Sequence, residues 1–182
     1  MAEAQPAHRV HSSAELGGSE PSKGRQIVVA VDRSEPSQKA LKWALDELYR
    51  SNDTVHVVYV AKVLSPEQVV LHGPVGSSYK FRDNTIEEAR TDINNARAWL
   101  ATEVEPQVKR VGAVYVPHLF VDQNNAPADV VAHTIAKVVA EVDAKYTVLA
   151  KSSKTAMEKF FVGSVASATS RLITSGSITL VS

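Results

Sequence analysis

The run Ile27-Val28-Val29-Ala30-Val31, closed by Asp32, constrains this chain more than any other feature. An apolar, β-branched run without alternation has no solvent face, which suits a central parallel strand covered by helices on both sides. Parallel neighbours need long crossovers, so the rest of the chain must alternate strands with helices. It does. Ser34 reads as a helix cap with Glu35 and Pro36 in the first turn. Ala40, Leu41, Ala44, Leu45 and Leu48 follow at helical spacing. A second strand spans 55–61. Ile86, Ala89, Ile93, Ala96, Leu100 and Val104 mark the next helix, which Pro106 kinks or ends and Gly112 closes. A third strand over 113–121 carries Pro117, whose missing N–H suits a sheet edge. After a turn at 122–125, Pro127 opens a helix with Val131, Ile135, Val138 and Val142 on its apolar face. A fourth strand over 146–150, a helix over 164–174 ending near Gly176, and a fifth strand over 178–181 complete the pattern. Residues 64–84, with Pro66, Gly73, Pro74 and Gly76, read as a long loop.

The pattern predicts an α/β fold: a single three-layer domain over 26–182 built on a doubly wound, five-stranded, mostly parallel sheet in the order 3-2-1-4-5. Residues 1–25, rich in Ser, Gly, Pro, Glu and Ala, read as a disordered N-terminal arm. Ligands of such sheets bind beyond the carboxyl ends of the strands where the strand order switches. Here that place lies between strands one and four, at Asp32 and the loop after Ala150.

Charge and motif content narrow the function classes. Lysine plus arginine is 20 and aspartate plus glutamate is 20, so no broad field favours nucleic acid or an anionic membrane. The chain has no cysteine, which excludes disulfides and thiolate chemistry and fits a cytoplasmic setting. No run of 18 apolar residues is long enough to span a bilayer. The first 25 residues lack a signal-type apolar core, and Glu3, Glu15 and Glu20 argue against a transit peptide. There is no G-x4-G-K-S/T loop, no G-x-G-x-x-G and no G-x-S-x-G, so P-loop, dinucleotide and triad-hydrolase readings have no anchor. His8, His11, His56, His72, His118 and His133 are scattered without ligand spacing and read as structural or solvated. Trp43 and Trp99 read as packing at helix edges.

The chemistry-bearing segment runs from Ala150 to Val165, following a strand and opening a helix. Helix-terminal amides with a partial positive charge attract phosphate. Gly163 permits close approach, Ser164 supplies a hydroxyl, and Lys151, Lys154 and Lys159 add charge. An ordinary turn and cap with solvated lysines is the alternative. Asp32 can accept hydrogen bonds from a ribose or base, cap the following helix with Ser34, or do both.

On Val28-Val29-Ala30-Val31-Asp32-Arg33-Ser34, Val57-Val58-Tyr59-Val60, Phe161-Val162-Gly163-Ser164-Val165 and the strand Ile178-Thr179-Leu180-Val181, the chain over 26–182 resembles the universal stress protein family. That family's ATP-binding pattern, G-x2-G-x9-G-S/T, falls on Ala150, Ser153 and Gly163-Ser164: the spacing is kept and both leading glycines are replaced. The resemblance implies that Ala30, Val31 and Asp32 contact adenine and ribose and that Val60 meets adenine through its backbone. It also implies that Ser152, Ser153, Gly163, Ser164 and Val165 surround the phosphates, with Ala150 at the pattern's first position. The implied function is binding of ATP or a related adenine nucleotide, with Mg2+, through a degenerate phosphate loop in a stress response. Catalysis would be limited to slow incidental ATP hydrolysis, and the implied assembly is a homodimer through Ile178, Thr179, Leu180 and Val181. The alternative is a nucleotide-free dimeric protein-interaction module of the same fold. An enzyme on this fold has no visible catalytic constellation.

Overall fold

The computed structural model describes residues 24–62, 69–73, 76–80, 85–122, 128–151 and 163–182. The expected arm lies outside these residues except for Gly24 and Arg25. In chain order the elements are β1 (Gln26–Val31), α1 (Glu35–Trp43), β2 (Thr54–Lys62), β3 (Val69–Gly73), β4 (Gly76–Lys80), α2 (Thr85–Trp99), α3 (Glu105–Arg110), β5 (Val114–Asp122), α4 (Ala128–Glu141), β6 (Tyr146–Ala150), α5 (Ser164–Leu172) and β7 (Ser177–Val181).

Strand β1 sits where its composition requires. Ile27, Val28 and Val29 are fully buried, and β1 pairs in parallel with β2 on one edge and β6 on the other. The sheet runs β5-β2-β1-β6-β7, all parallel, which is the expected order 3-2-1-4-5. Successive side chains alternate between two layers. Ile27, Val29, Val31, Val55, Val57 and Val148 face α1, its π-helical continuation Ala44–Leu48, and Leu100, Val104 and Val108. Val28, Val58 and Leu149 face Ile135, Val138, Val139 and Ala166 of α4 and α5. Trp43 and Trp99 pack, partly buried, against the first layer, as their helical positions led us to expect. No described helix is long and apolar enough to cross a membrane.

Two local features depart from or sharpen the sequence reading. Within residues 64–84, read as loop, β3 and β4 form an antiparallel hairpin separate from the main sheet, with Gly73 opposite Gly76. Gly73 and Gly76 end the two strands, and Val69, Val70 and Leu71 supply β-favouring residues to β3. Pro106 does not end the helical course. Leu100–Val104 widens into a π-helical turn, and α3 restarts with the proline in its first turn, where the lost N–H has no partner to lose. Pro117 does lie on an edge strand, β5. Gly176 takes φ +79°, and a Cβ there would meet the Ala144 carbonyl oxygen at 2.6 Å, so glycine is required between α5 and β7.

The amino-terminal ends of the strands are tied by one ion pair. The Asp53 side chain is only 3% exposed and pairs with Arg25. It accepts from Arg25 Nε at 3.0 Å, from the Arg25 amide at 3.1 Å and from the Arg50 amide at 2.8 Å. Arg25 Nη2 also donates to the Leu48 carbonyl at 2.9 Å, and its guanidinium lies 5.1 Å from the centre of the Tyr146 ring. One side chain thus joins β1, the end of the first helix, the turn before β2, and β6. Burial opposes ionisation of Asp53, but the Arg25 and Arg50 hydrogen bonds outweigh it and hold the carboxyl below its ordinary value.

A second polar network crosses the sheet. Gln26 Nε2 donates to the Gly24 carbonyl at 3.0 Å, and its Oε1 lies 2.7 Å from His56 Nε2. His56 Nδ1 lies 3.0 Å from His118 Nε2. With the proton of His56 on Nε2, donated to Gln26 Oε1, His56 Nδ1 accepts from His118 Nε2–H, so both nitrogens of the neutral His56 ring are satisfied. Burial first, and then His118, push the His56 pKa down to about 4. Burial also lowers His118, partly opposed by Glu141. The histidines read as scattered therefore include a hydrogen-bonded pair, brought together by β2 and β5.

These two networks lose their stabilising effect in different pH windows. His56 takes up a proton more readily in the unfolded chain, near pH 6.5, than in the fold, near 4. Stability should therefore drop by up to about 3 kcal/mol as pH falls between those values. The Asp53 contribution should persist to lower pH and disappear only below about pH 4, where a lowered carboxyl finally protonates. Urea unfolding against pH should show two separate limbs. His56→Asn should flatten the upper limb alone, whereas Asp53→Asn should cost about 2 kcal/mol at neutral pH and flatten the lower one.

Candidate functional site

The carboxyl rim between β1 and β6 is where the strand order switches, and the two strands part there. The β1–β2 ladder runs to Val31 opposite Tyr59, and the β6–β7 ladder to Ala150 opposite Val181. The β1–β6 ladder stops earlier, at Val29 opposite Val148. Ala30 and Val31 therefore face Leu149 and Ala150 across an opening crevice rather than a continued ladder. Such a split is where ligands enter doubly wound sheets.

The sequence-predicted residues distribute around this crevice. Ala30, Val60 and Val165 pack, partly buried, on the α4/α5 side of the sheet. Val31 and Ala150 belong to the opposite layer. Asp32 lies just past β1 and is exposed. Gly163 is the N-cap of α5, and Ser164 is its first residue. The cap carries no side-chain hydrogen bond, and the Gly163 carbonyl accepts from the Ser167 amide at 2.8 Å. The first amides of α5 precede the repeating i→i−4 pattern and keep their donors free for a partner from outside the helix. Gly163 has φ −54°, so no left-handed backbone demands glycine there. Ser152, Ser153, Lys154 and Lys159 lie outside the described residues. Lys151 is anchored through its amide, which donates to the Val181 carbonyl at 2.6 Å.

Asp32 is organised by the turn that follows it. Its Oδ1 accepts from the Ser34 amide at 3.1 Å and from the Ser34 hydroxyl at 2.5 Å. Ser34 Oγ in turn accepts from the Ser37 amide at 3.3 Å, which is the expected cap. Both readings of Asp32 are thereby compatible. One carboxylate oxygen builds the turn, and Oδ2 has no partner among the described residues. Two supporting residues carried no sequence signal. Ser37 is 2% exposed; its hydroxyl accepts from the Asp32 amide at 3.2 Å and donates to the Ser34 carbonyl at 2.9 Å. Arg33 takes φ +64°, a left-handed conformation expected of glycine or asparagine, and its guanidinium lies 5.8 Å from the centre of the Tyr59 ring. Only the turn's tertiary setting imposes that backbone on an arginine.

No group of three or more His, Cys, Asp or Glu able to hold a metal occurs among the described residues. The predicted edge residues Ile178, Thr179, Leu180 and Val181 lie on β7, which among the described residues pairs with β6 alone, and all four are partly exposed.

A model of the universal stress protein family matches residues 24–126. No match is found among curated proteins. Solved structures share the fold. UspA from Lactobacillus plantarum is 14% identical, with 88% of this chain and 99% of that chain covered at a TM-score of 0.61. A universal stress protein from Archaeoglobus fulgidus is 22% identical, with coverages of 87% and 98% and a TM-score of 0.52. A universal stress protein family protein from Arabidopsis thaliana, solved with AMP bound, is 15% identical, with coverages of 86% and 90% and a TM-score of 0.50.

The turn geometry makes a direct prediction. Ser34→Ala removes both the cap on α1 and a donor to Asp32, and should cost about 1 kcal/mol in chemical denaturation. An unchanged midpoint would show that the turn is held without it.

Proposed function

This chain belongs to the universal stress protein family, and from that premise we propose that it binds an adenine nucleotide, ATP or a close relative, in the crevice between β1 and β6. The observation that carries the proposal is the early end of the β1–β6 ladder beside the uncapped amino terminus of α5. A nucleotide there would lay its base against Ala30, Val31 and the Val60 backbone, its ribose toward the free oxygen of Asp32, and its phosphates toward Gly163, Ser164 and Val165. Phosphate at a helix amino terminus gains both hydrogen bonds and the favourable end of the helix dipole. The AMP-bound Arabidopsis relative supports the ligand class. Mg2+ would accompany a triphosphate and offset its charge.

Ala150 and Ser153 stand where the pattern has glycines, so binding should be attenuated. Ala150 adds one methyl group. Ser153 carries a strain of order 1 kcal/mol if the turn needs positive φ, which is about a tenfold loss of affinity. We assign the protein a binding and regulatory role in the cytoplasm rather than a catalytic one, with any ATP hydrolysis slow and incidental. Dimerisation would use the unpaired edge of β7, where a second copy can add its own strand across a two-fold axis. The replaced glycines favour one competing reading, a nucleotide-free dimeric interaction module.

Calorimetric titration of the full chain with ATP, ADP and AMP, with and without Mg2+, separates the two readings. The expected result is saturable binding and a melting temperature that rises with nucleotide. Ser153→Gly should tighten binding about tenfold. Absence of heat at millimolar nucleotide, with the melting temperature unmoved in both proteins, would leave the interaction module standing alone.

A further inference from the structure

The two lips of the crevice between β1 and β6 carry opposite charges in register with each other. The last pair of the β1–β6 ladder is Val29 with Val148, and three residues beyond it on each strand stand Asp32 and Lys151. They lie opposite one another across the gap where the ladder has stopped. The β6 side keeps its strand geometry to that point, because the Lys151 amide donates to the Val181 carbonyl at 2.6 Å and carries the β6–β7 ladder one residue further. Side chains alternate along a strand. Val148 and Ala150 face the α1 layer and Leu149 faces α4 and α5, which puts Lys151 on the α4/α5 face. Ala30 faces that layer and Val31 the other, so Asp32 leaves β1 on the same face as Lys151. On that face too packs α5, through Val165 and Ala166, with its uncapped amino terminus at Gly163.

The two charges do not neutralise each other. Asp32 Oδ1 accepts from the Ser34 amide and hydroxyl, and Oδ2 has no partner among the described residues. Lys151 is half-buried and has no acidic partner among the described residues, whereas Lys39, Lys42, Lys109 and Lys137 each hold a carboxylate one helical turn away. A carboxylate and an ammonium unpaired across an open gap suit a ligand that presents donors to one and an anion to the other. A 5′-nucleotide has that pattern, since its ribose hydroxyls donate and its phosphate accepts. The groove between α2 and β5 shows nothing comparable. Its walls are mostly apolar, with Ile93, Leu100, Pro117 and Leu119 among them, and the Tyr115 hydroxyl beside it is closed off from solvent without a partner among the described residues.

We propose, on the premise that the crevice takes an adenine nucleotide, that Lys151 is the residue that selects a phosphorylated ligand there. It holds the phosphate beside the first amides of α5 while Asp32 holds the ribose. Both lips must be engaged, so the ligand must carry ribose hydroxyls and a 5′-phosphate together. Lysine acts on phosphate as a point charge with three donors, so it needs no glycine-shaped loop to do so.

AMP and 2′,3′-dideoxy-AMP, titrated by calorimetry into the full chain and three variants, test the assignment. Lys151→Met keeps the stem and removes the charge. It should weaken both ligands by the same factor, about tenfold, and Lys151→Arg should restore most of the affinity. The parent chain should prefer AMP to its dideoxy counterpart about tenfold, and Asp32→Asn should cut that preference to about threefold or less. Raising salt from about 50 to about 500 mM should weaken AMP binding to the parent more than to Lys151→Met, because screening acts on the charge that the variant lacks. The melting temperature of free Lys151→Met should match that of the parent. AMP affinity unchanged in Lys151→Met, a loss that arginine does not rescue, or equal affinity of the parent for the two ligands would each overturn the role of Lys151 or the two-lip requirement and leave nucleotide binding standing. No binding of AMP to the parent at millimolar concentration would overturn both.

Discussion

Everything in this structure depends on a strand that has no exposed side. Ile27, Val28 and Val29 are fully buried, and β1 has a parallel neighbour on each edge. A strand buried on both faces needs a helical layer above and below, and parallel neighbours need crossovers to supply those layers. The two crossover directions from β1 place β2 and β5 on one side and β6 and β7 on the other. The division of the sheet at β1 and β6 is therefore a consequence of burying one apolar run, and so is the position of the crevice at their carboxyl ends.

The two ends of the sheet are built differently. At the amino ends, Arg25, Gln26, Asp53, His56 and His118 form hydrogen-bonded networks that reach across neighbouring strands. The Lys145 amide donates to the Gln26 carbonyl at 2.8 Å, and the Ser177 amide to the Lys145 carbonyl at 3.0 Å, so the starts of β1, β6 and β7 are stitched together. At the carboxyl ends between β1 and β6 the ladder stops early, at Val29 opposite Val148, and Asp32 Oδ2 has no partner among the described residues. The same division explains why the acid-sensitive groups lie far along the strands from the crevice.

The groove beside Tyr115 arises from a different compromise. Pro117 keeps β5 at the sheet edge, and α2 runs into a π-helical turn before α3. An outer strand has only one neighbour to share its helical cover with, and Pro117 and Leu119 remain in contact with a cavity rather than with packed side chains. The two concave regions thus differ in origin: one follows from the switch in strand order, the other from incomplete cover at an edge.

The sequence by itself determined the fold, because apolar periodicity reports burial directly. The alternation of apolar runs such as Ile27–Val31 with helical stripes such as Ala40-Leu41-Ala44-Leu45 gave the expected strand order, and Pro117 marked an edge. The cap at Ser34 was equally legible, since it depends on neighbours three residues apart. The hairpin within 64–84 was not, because glycine and proline mark a loop and a tight turn alike. Nor were the His56–His118 pair, the Arg25–Asp53 tie, the left-handed Arg33 or the orphaned Tyr115 hydroxyl. Each of these joins or exposes groups far apart in the chain, and only tertiary structure brings them within reach of one another. A sequence carries the periodicity of burial residue by residue; which polar groups meet, and which are left without a partner, is decided when the layers close.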